Sequence, residues 1–269
     1  MIGRWIRERI VLILGLLVLA YTFVPIAVVV LMSFNKPKSK LIYQFDSFTL
    51  QNWLHPCAAP GMCSSVVRSV EIGLLATLVA TILGTLAAFA LVRHDFAGRS
   101  GMNLLIFLPM ASPEIVMGSS LLALFVASGF GGKLGFWTIL VAHIMFCLSF
   151  VVVTVRARLA GLDDSLEQAA MDLYATPSQT FWRVTFPLVF PGILGAALLS
   201  FSLSFDDFII SNLNAGTTTT FPMYVWGVAQ RGVPMQVNVI GTLMFVISIS
   251  IVLSAEFNRR RQTKALAAP

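Results

Sequence analysis

Three carboxylates stand where a carboxylate is costly to place. Glu114 falls near the middle of one apolar run, and Asp206 and Asp207 lie side by side in the second half of another. An ionised carboxylate at mid-bilayer costs about 2.5–3.5 kcal/mol, so each should face a partner or a wet cavity. Their sign argues against an anion as the species met there, because an anion would call for basic residues or helix N-termini. Aromatic rings near them in sequence, Phe205, Phe208 and Trp226, can meet cations or apolar chain on their faces. Structural roles compete at each position. Glu114 follows Pro109 and Pro113, so it either faces such a path or sits in the first turn of a restarted helix, paired with its amides. Asp206 and Asp207 would be about 100° apart on a helix, so one is expected to face the path and the other an adjacent helix or subunit. His143, inside a further apolar run, reads as a buried hydrogen-bonding side chain, with a proton relay as the alternative. Arg68 and Glu71 have the spacing of an i,i+3 ion pair.

A second cluster is polar and lies between two apolar runs, from Asp163 to Pro187. Asp163, Asp164 or Ser165 can cap a first short helix there, and the early acidic residues suit the positive end of its dipole. Pro177 cannot continue that helix but can open the next. Leu166, Ala169, Ala170 and Leu173 recur at helical spacing, and the two alanines keep that face slim. A slim short helix suits the groove of a partner. The plainer reading is an amphipathic helix lying on the lipid surface.

The elements that must position these residues are membrane spans. The chain has 269 residues, of which 57% are hydrophobic and 11% charged, and its mean hydropathy is +0.86. A soluble domain would carry about a quarter charged residues. Six runs are long enough to cross the hydrocarbon: Ile10–Phe34, Ser65–Val92, Met102–Ala127, Leu134–Val155, Leu188–Leu213 and Gln236–Phe257. The fold class expected is therefore all-α, a polytopic membrane protein of six helices forming one transmembrane domain over residues 1–269. With the N-terminus inside, twelve Lys and Arg fall on the cytosolic side and six outside, which favours both termini in the cytosol. The net charge of +6 is thus explained by topology, and nucleic acid is not expected as a partner. The long loop from about Asn35 to Ser64 carries Cys57 and Cys63, which are either a closed disulfide or two thiols. Phe48 to Trp53 can begin a short interfacial helix, and the apolar patch around Trp226 is too short to cross. No cluster has the spacing of a metal site, and no catalytic set stands out.

The polar insert resembles the cytoplasmic signature of ABC-importer permeases: Glu-Ala-Ala, three residues, Gly, nine residues, Ile-x-Leu-Pro. Here it runs Gln168-Ala169-Ala170, then Tyr174, then Val184-Thr185-Phe186-Pro187, with every gap intact. Glu167 stands beside the Gln168 that replaces the family's Glu, and Tyr174 replaces its Gly. A glycine there takes positive φ freely, whereas a tyrosine does so at a cost. Ser112-Pro113-Glu114-Ile115-Val116-Met117-Gly118, Ala142 to Cys147, Phe201 to Asp207, Gly232-Val233-Pro234 and Asn238 look similar to the C-type permease of spermidine/putrescine importers.

The resemblance implies a type I importer permease of the bacterial inner membrane that is not itself an enzyme. Its implied partners are a second permease subunit in a heterodimer, two ATPase subunits that bind ATP and Mg, an extracytoplasmic polyamine-binding protein and the surrounding lipid. No cofactor is expected in this chain, which lacks the Gly-x-x-x-x-Gly-Lys-Ser/Thr loop that cradles phosphate. Glu114, Asp206, Asp207 and Trp226 become candidates for the cargo path. Glu167, Gln168, Ala169, Ala170, Asp172, Tyr174, Ala175 and Pro187 become candidates for coupling to the ATPase, within residues 163–187. An importer of another small organic cation or solute, or a proton-coupled secondary transporter, is the alternative.

Overall fold

The computed structural model describes residues 2–39, 44–129, 131–163 and 165–266; Asp164, a candidate cap, lies outside them. The helices are α1 (Ile2–Ser33), α2 (Gln51–Leu54), α3 (Met62–Arg93), α4 (Arg99–Ala111), α5 (Glu114–Ala127), α6 (Phe136–Ala160), α7 (Ser165–Asp172), α8 (Pro177–Thr180), α9 (Phe186–Asp206), α10 (Ile209–Asn214), α11 (Phe221–Ala229) and α12 (Met235–Leu266). Among the described residues there is no strand, only an isolated bridge between Asn35 and Phe48. The chain is all-α, as its composition requires.

Among the described residues, four helical stretches are long and apolar enough to span a bilayer: Arg9–Ser33, Met62–Arg93, Phe136–Ala160 and Pro177–Asp206. The run expected as one span over Met102–Ala127 is instead a pair, α4 and α5, bent by 110°. The cause is local. A residue before proline is pushed out of the helical region, and Ser112 has ψ 138. Pro113 follows with ψ 135, so two extended residues turn the chain. The sixth expected run, Gln236–Phe257, lies within α12, a continuous helix of 32 residues. The count of six is therefore not reproduced one for one.

The chain divides into two compact units, residues 1–63 with 225–269, and residues 64–224. In the first, α1 packs along α12, with Phe23 edge-on to Phe245. Asn35 ties the following loop down: its side chain donates to the Gln44 carbonyl and accepts the Asp46 N–H. Trp53 lies on α2, stacks on Phe34 and donates its indole N–H to Ser33. Cys57 and Cys63 are joined in a disulfide. In the second unit α6 is the central helix. Val151, Val152, Val155 and Leu159 are buried in one core with Leu91 of α3 and Val189 of α9.

Candidate functional site

Two interrupted helices build the acidic site. At the first break Glu114 is the opening residue of α5, behind Pro113. The expected restarted helix is present, and Glu114 is exposed at its start. At the second break α9 ends with Asp206, and Asp207 is extended (φ −66, ψ 125) before α10 begins. The 100° separation expected for two residues of one helix therefore does not apply. The chain leaves the helix between them because the Asp207 carboxylate competes for backbone donors. It accepts the N–H groups of Ile210 at 3.3 Å and Ser211 at 2.8 Å, and so caps α10.

The two aspartates consequently differ. Asp206 is exposed, whereas the Asp207 side chain is 2% exposed and lies 3.3 Å from His143 Nε2. His143 is itself buried on α6. Its Nδ1 is 2.7 Å from Ser204 Oγ on α9, and its Nε2 is 2.9 Å from Ser211 Oγ on α10. One imidazole thus joins α6 to both sides of the break, as its expected hydrogen-bonding role requires. Asn214 donates to the Gly118 carbonyl at 3.2 Å and holds α10 against α5. That approach is tight: a Cβ on residue 118 would lie 2.8 Å from Leu213 Cδ1, a side-chain tip that can turn aside, and 3.3 Å from Ile210 Cα, which must shift by a few tenths of an ångström.

These constraints gather the three carboxylates at one cavity of about 320 Å³, lined by Glu114, Asp206 and Asp207 with Phe146, Leu203, Phe208 and Ile209. All seven belong to residues 64–224. Phe205 packs on Phe201 and Phe221. Trp226, on α11, is 58% exposed and belongs to the other unit. His143, Ser204 and Ser211 are the residues that sequence reasoning did not connect to the acids. The spacing Ser204, Asp207, Ser211 was the available signal, but it points to one partner only when α6 is in place.

The polar insert folds as two short helices. Asp163 caps α7 by accepting the Ser165 N–H at 2.9 Å, and hydrogen bonds from Ser165 hold its carboxyl below the usual carboxylate range. Pro177 opens α8 as expected, behind Thr176, which exchanges hydrogen bonds with Gln179. A wide π turn over Phe181–Thr185 leads into α9. Pro187 stands just inside that helix and cannot donate to the carbonyl four residues back, so Phe186 reaches five residues back to Phe181.

The end of α7 explains Tyr174. The Ala175 N–H bonds to the Ala170 carbonyl at 3.1 Å and the Tyr174 N–H to Met171 at 2.9 Å, the two bonds of a Schellman cap. The residue at its turn must be left-handed. Tyr174 has φ 61, and among the described residues no other non-glycine has positive φ. Its side chain is 96% exposed and that of Leu173 81%. Gln168, Ala169, Asp172 and Pro187 are exposed, and Ala170 and Ala175 are half-buried. Glu167 points inward: its Oε1 meets Arg93 Nη2 at 2.5 Å and accepts from Thr185 Oγ1 at 2.7 Å.

The model of the binding-protein-dependent transport system inner-membrane component family matches residues 80–264. The chain belongs to this family. It is similar to the spermidine/putrescine transport permease PotC of Haemophilus influenzae, with 36% identity over 91% of this chain and 94% of that one. It is also similar to the putrescine permease PotI of Escherichia coli, with 38% identity over 85% of this chain and 84% of that one. A solved bacterial ABC transporter that imports the acidic polysaccharide alginate shares the fold, at TM-score 0.63 and 15% identity over 96% of both chains. An amino acid ABC transporter does so at TM-score 0.58 and 14% identity, over 80% of this permease and 100% of that chain. This permease is accordingly a multi-pass membrane protein of the ABC-importer type, and its named relatives are transport permeases rather than enzymes.

Proposed function

We propose that this chain forms half of the translocation path of an ATP-driven importer for polyamines, spermidine or putrescine, and docks an ATPase through residues 163–187. One observation carries the reading. Three carboxylates converge on a single cavity, in a chain whose relatives are named for polyamine transport. A polyamine carries several ammonium groups separated by methylenes. Each carboxylate replaces part of the water an ammonium loses, in a charge-assisted hydrogen bond. Glu114 and Asp206 are the exposed contacts, and Asp207 adds its charge at the same cavity.

The assembly would hold this chain with a second permease subunit as a heterodimer, two ATPase subunits carrying ATP and Mg, and an extracytoplasmic binding protein. Both termini would lie in the cytosol, with Gln168, Ala169, Asp172 and Tyr174 turned to the ATPase. ATP hydrolysis belongs to that partner. Vesicles containing the whole complex, with ATP inside and loaded binding protein outside, should accumulate spermidine or putrescine and continue after the proton gradient is collapsed. Uptake without internal ATP, or by this chain alone, would refute the proposal.

A further inference from the structure

Glu167 sits within the segment proposed to dock the ATPase, yet its carboxylate is engaged inside its own chain. One oxygen serves two partners, Arg93 at 2.5 Å and Thr185 at 2.7 Å. Arg93 is the last residue of α3 and Thr185 the last of the π turn before α9. A single side chain of α7 therefore holds the ends of two long apolar helices. The neighbouring α7 positions Gln168 and Ala169 are exposed, whereas the Glu167 side chain is only 23% exposed.

The surrounding packing is open. A cavity of about 210 Å³ lies beside the carboxylate, lined by Phe89, Met171, Phe181 and Thr180 as well as the tethered groups. The pocket opens to the surface, so apolar contact alone does not fill the space between α7 and the helix ends. The charge-assisted bonds are then the stiff part of the connection.

We infer that Glu167 is a positioning residue that transmits movement of α7 to α3 and α9 through Arg93 and Thr185, and is not a contact to the ATPase. This rests on the coupling role proposed above for residues 163–187. The test compares the reconstituted wild-type complex with Glu167→Gln, Thr185→Val, Arg93→Glu and the exchanged pair Arg93→Glu/Glu167→Arg. Two quantities are read: the amount of ATPase that copurifies, and polyamine moved per ATP hydrolysed. Glu167→Gln should retain the ATPase while cargo moved per ATP falls about tenfold, the loss expected for one charge-assisted hydrogen bond. Thr185→Val should lower the ratio less, and the exchanged pair should recover most of what Arg93→Glu alone loses.

Loss of the ATPase from Glu167→Gln would overturn the inference by making Glu167 a partner contact. An unchanged ratio, or an exchanged pair no better than Arg93→Glu, would overturn it by removing the tether. Wild-type complex that moves no polyamine with ATP would refute the proposed function instead, since the tether is judged only by differences among complexes that transport.

Discussion

Replacing Tyr174 by glycine removes a side chain from a left-handed residue without removing any contact that fills space, because the ring is 96% exposed. The φ of 61 costs an L-residue about 1–2 kcal/mol. Glycine escapes that cost but loses about 0.5–1 kcal/mol more backbone freedom on folding. The balance favours Tyr174→Gly by about 1 kcal/mol, or about a fivefold drop in local opening of the cap. Amide hydrogen exchange at Ala175 reads this directly, since its N–H closes the outer bond of the cap to Ala170. In lipid nanodiscs the glycine variant should exchange about fivefold more slowly than wild type. Tyr174→Ala is the control: alanine keeps the Cβ that makes positive φ unfavourable, so its rate should stay near that of tyrosine. Equal slowing in both variants, or none in the glycine variant, would show that the cap is not strained by its side chain.

The acidic site yields a contrast. Asp207→Ala leaves two buried amides without their acceptor and should destabilise the solubilised protein by about 3 kcal/mol, whereas exposed Asp206→Ala should change stability by less than about 0.5 kcal/mol. Equal shifts in thermal unfolding would contradict this division. Asp206→Asn should cut polyamine uptake by the complex while leaving assembly intact, and unchanged uptake would remove it from the path. Gly118→Ala presses on Ile210 of α10 and turns Leu213 aside, and should cost about 1 kcal/mol, seen as a lower unfolding midpoint; a neutral result would mean the two helices do not hold each other there. Reduction of Cys57–Cys63 should loosen its short loop by about 2 kcal/mol, detected as faster proteolysis between residues 54 and 64.

Tyr174 also shows how far a sequence can be read. The position is legible because the gaps from Gln168 to Pro187 constrain a helix, a turn and a second helix whatever surrounds them. The caps follow from Asp163, Thr176 and Pro177, whose chemistry acts over two or three residues. The breaks were less legible. Pro113 announces one, and Glu114 was expected to face a path or open a helix; it opens α5 and lines the cavity. The second break carries no proline. It rests on the Asp207 carboxylate taking the N–H groups of Ile210 and Ser211, and the partner that buries this carboxylate, His143, lies more than sixty residues earlier.

Local chemistry and the balance of apolar against polar residues therefore determined an all-helical membrane protein with a polar insert, and the resemblance of that insert to a family signature is what pointed to a permease. Hydrophobic runs, proline and caps act on their own neighbourhood, so no tertiary contact is needed to read them. Which aspartate is buried, where Glu167 turns and how Gly118 lets α10 approach were decided only when α3, α5, α6, α9 and α10 packed together. Those choices depend on distances between residues far apart in the chain, and periodicity along one helix contains no measure of them.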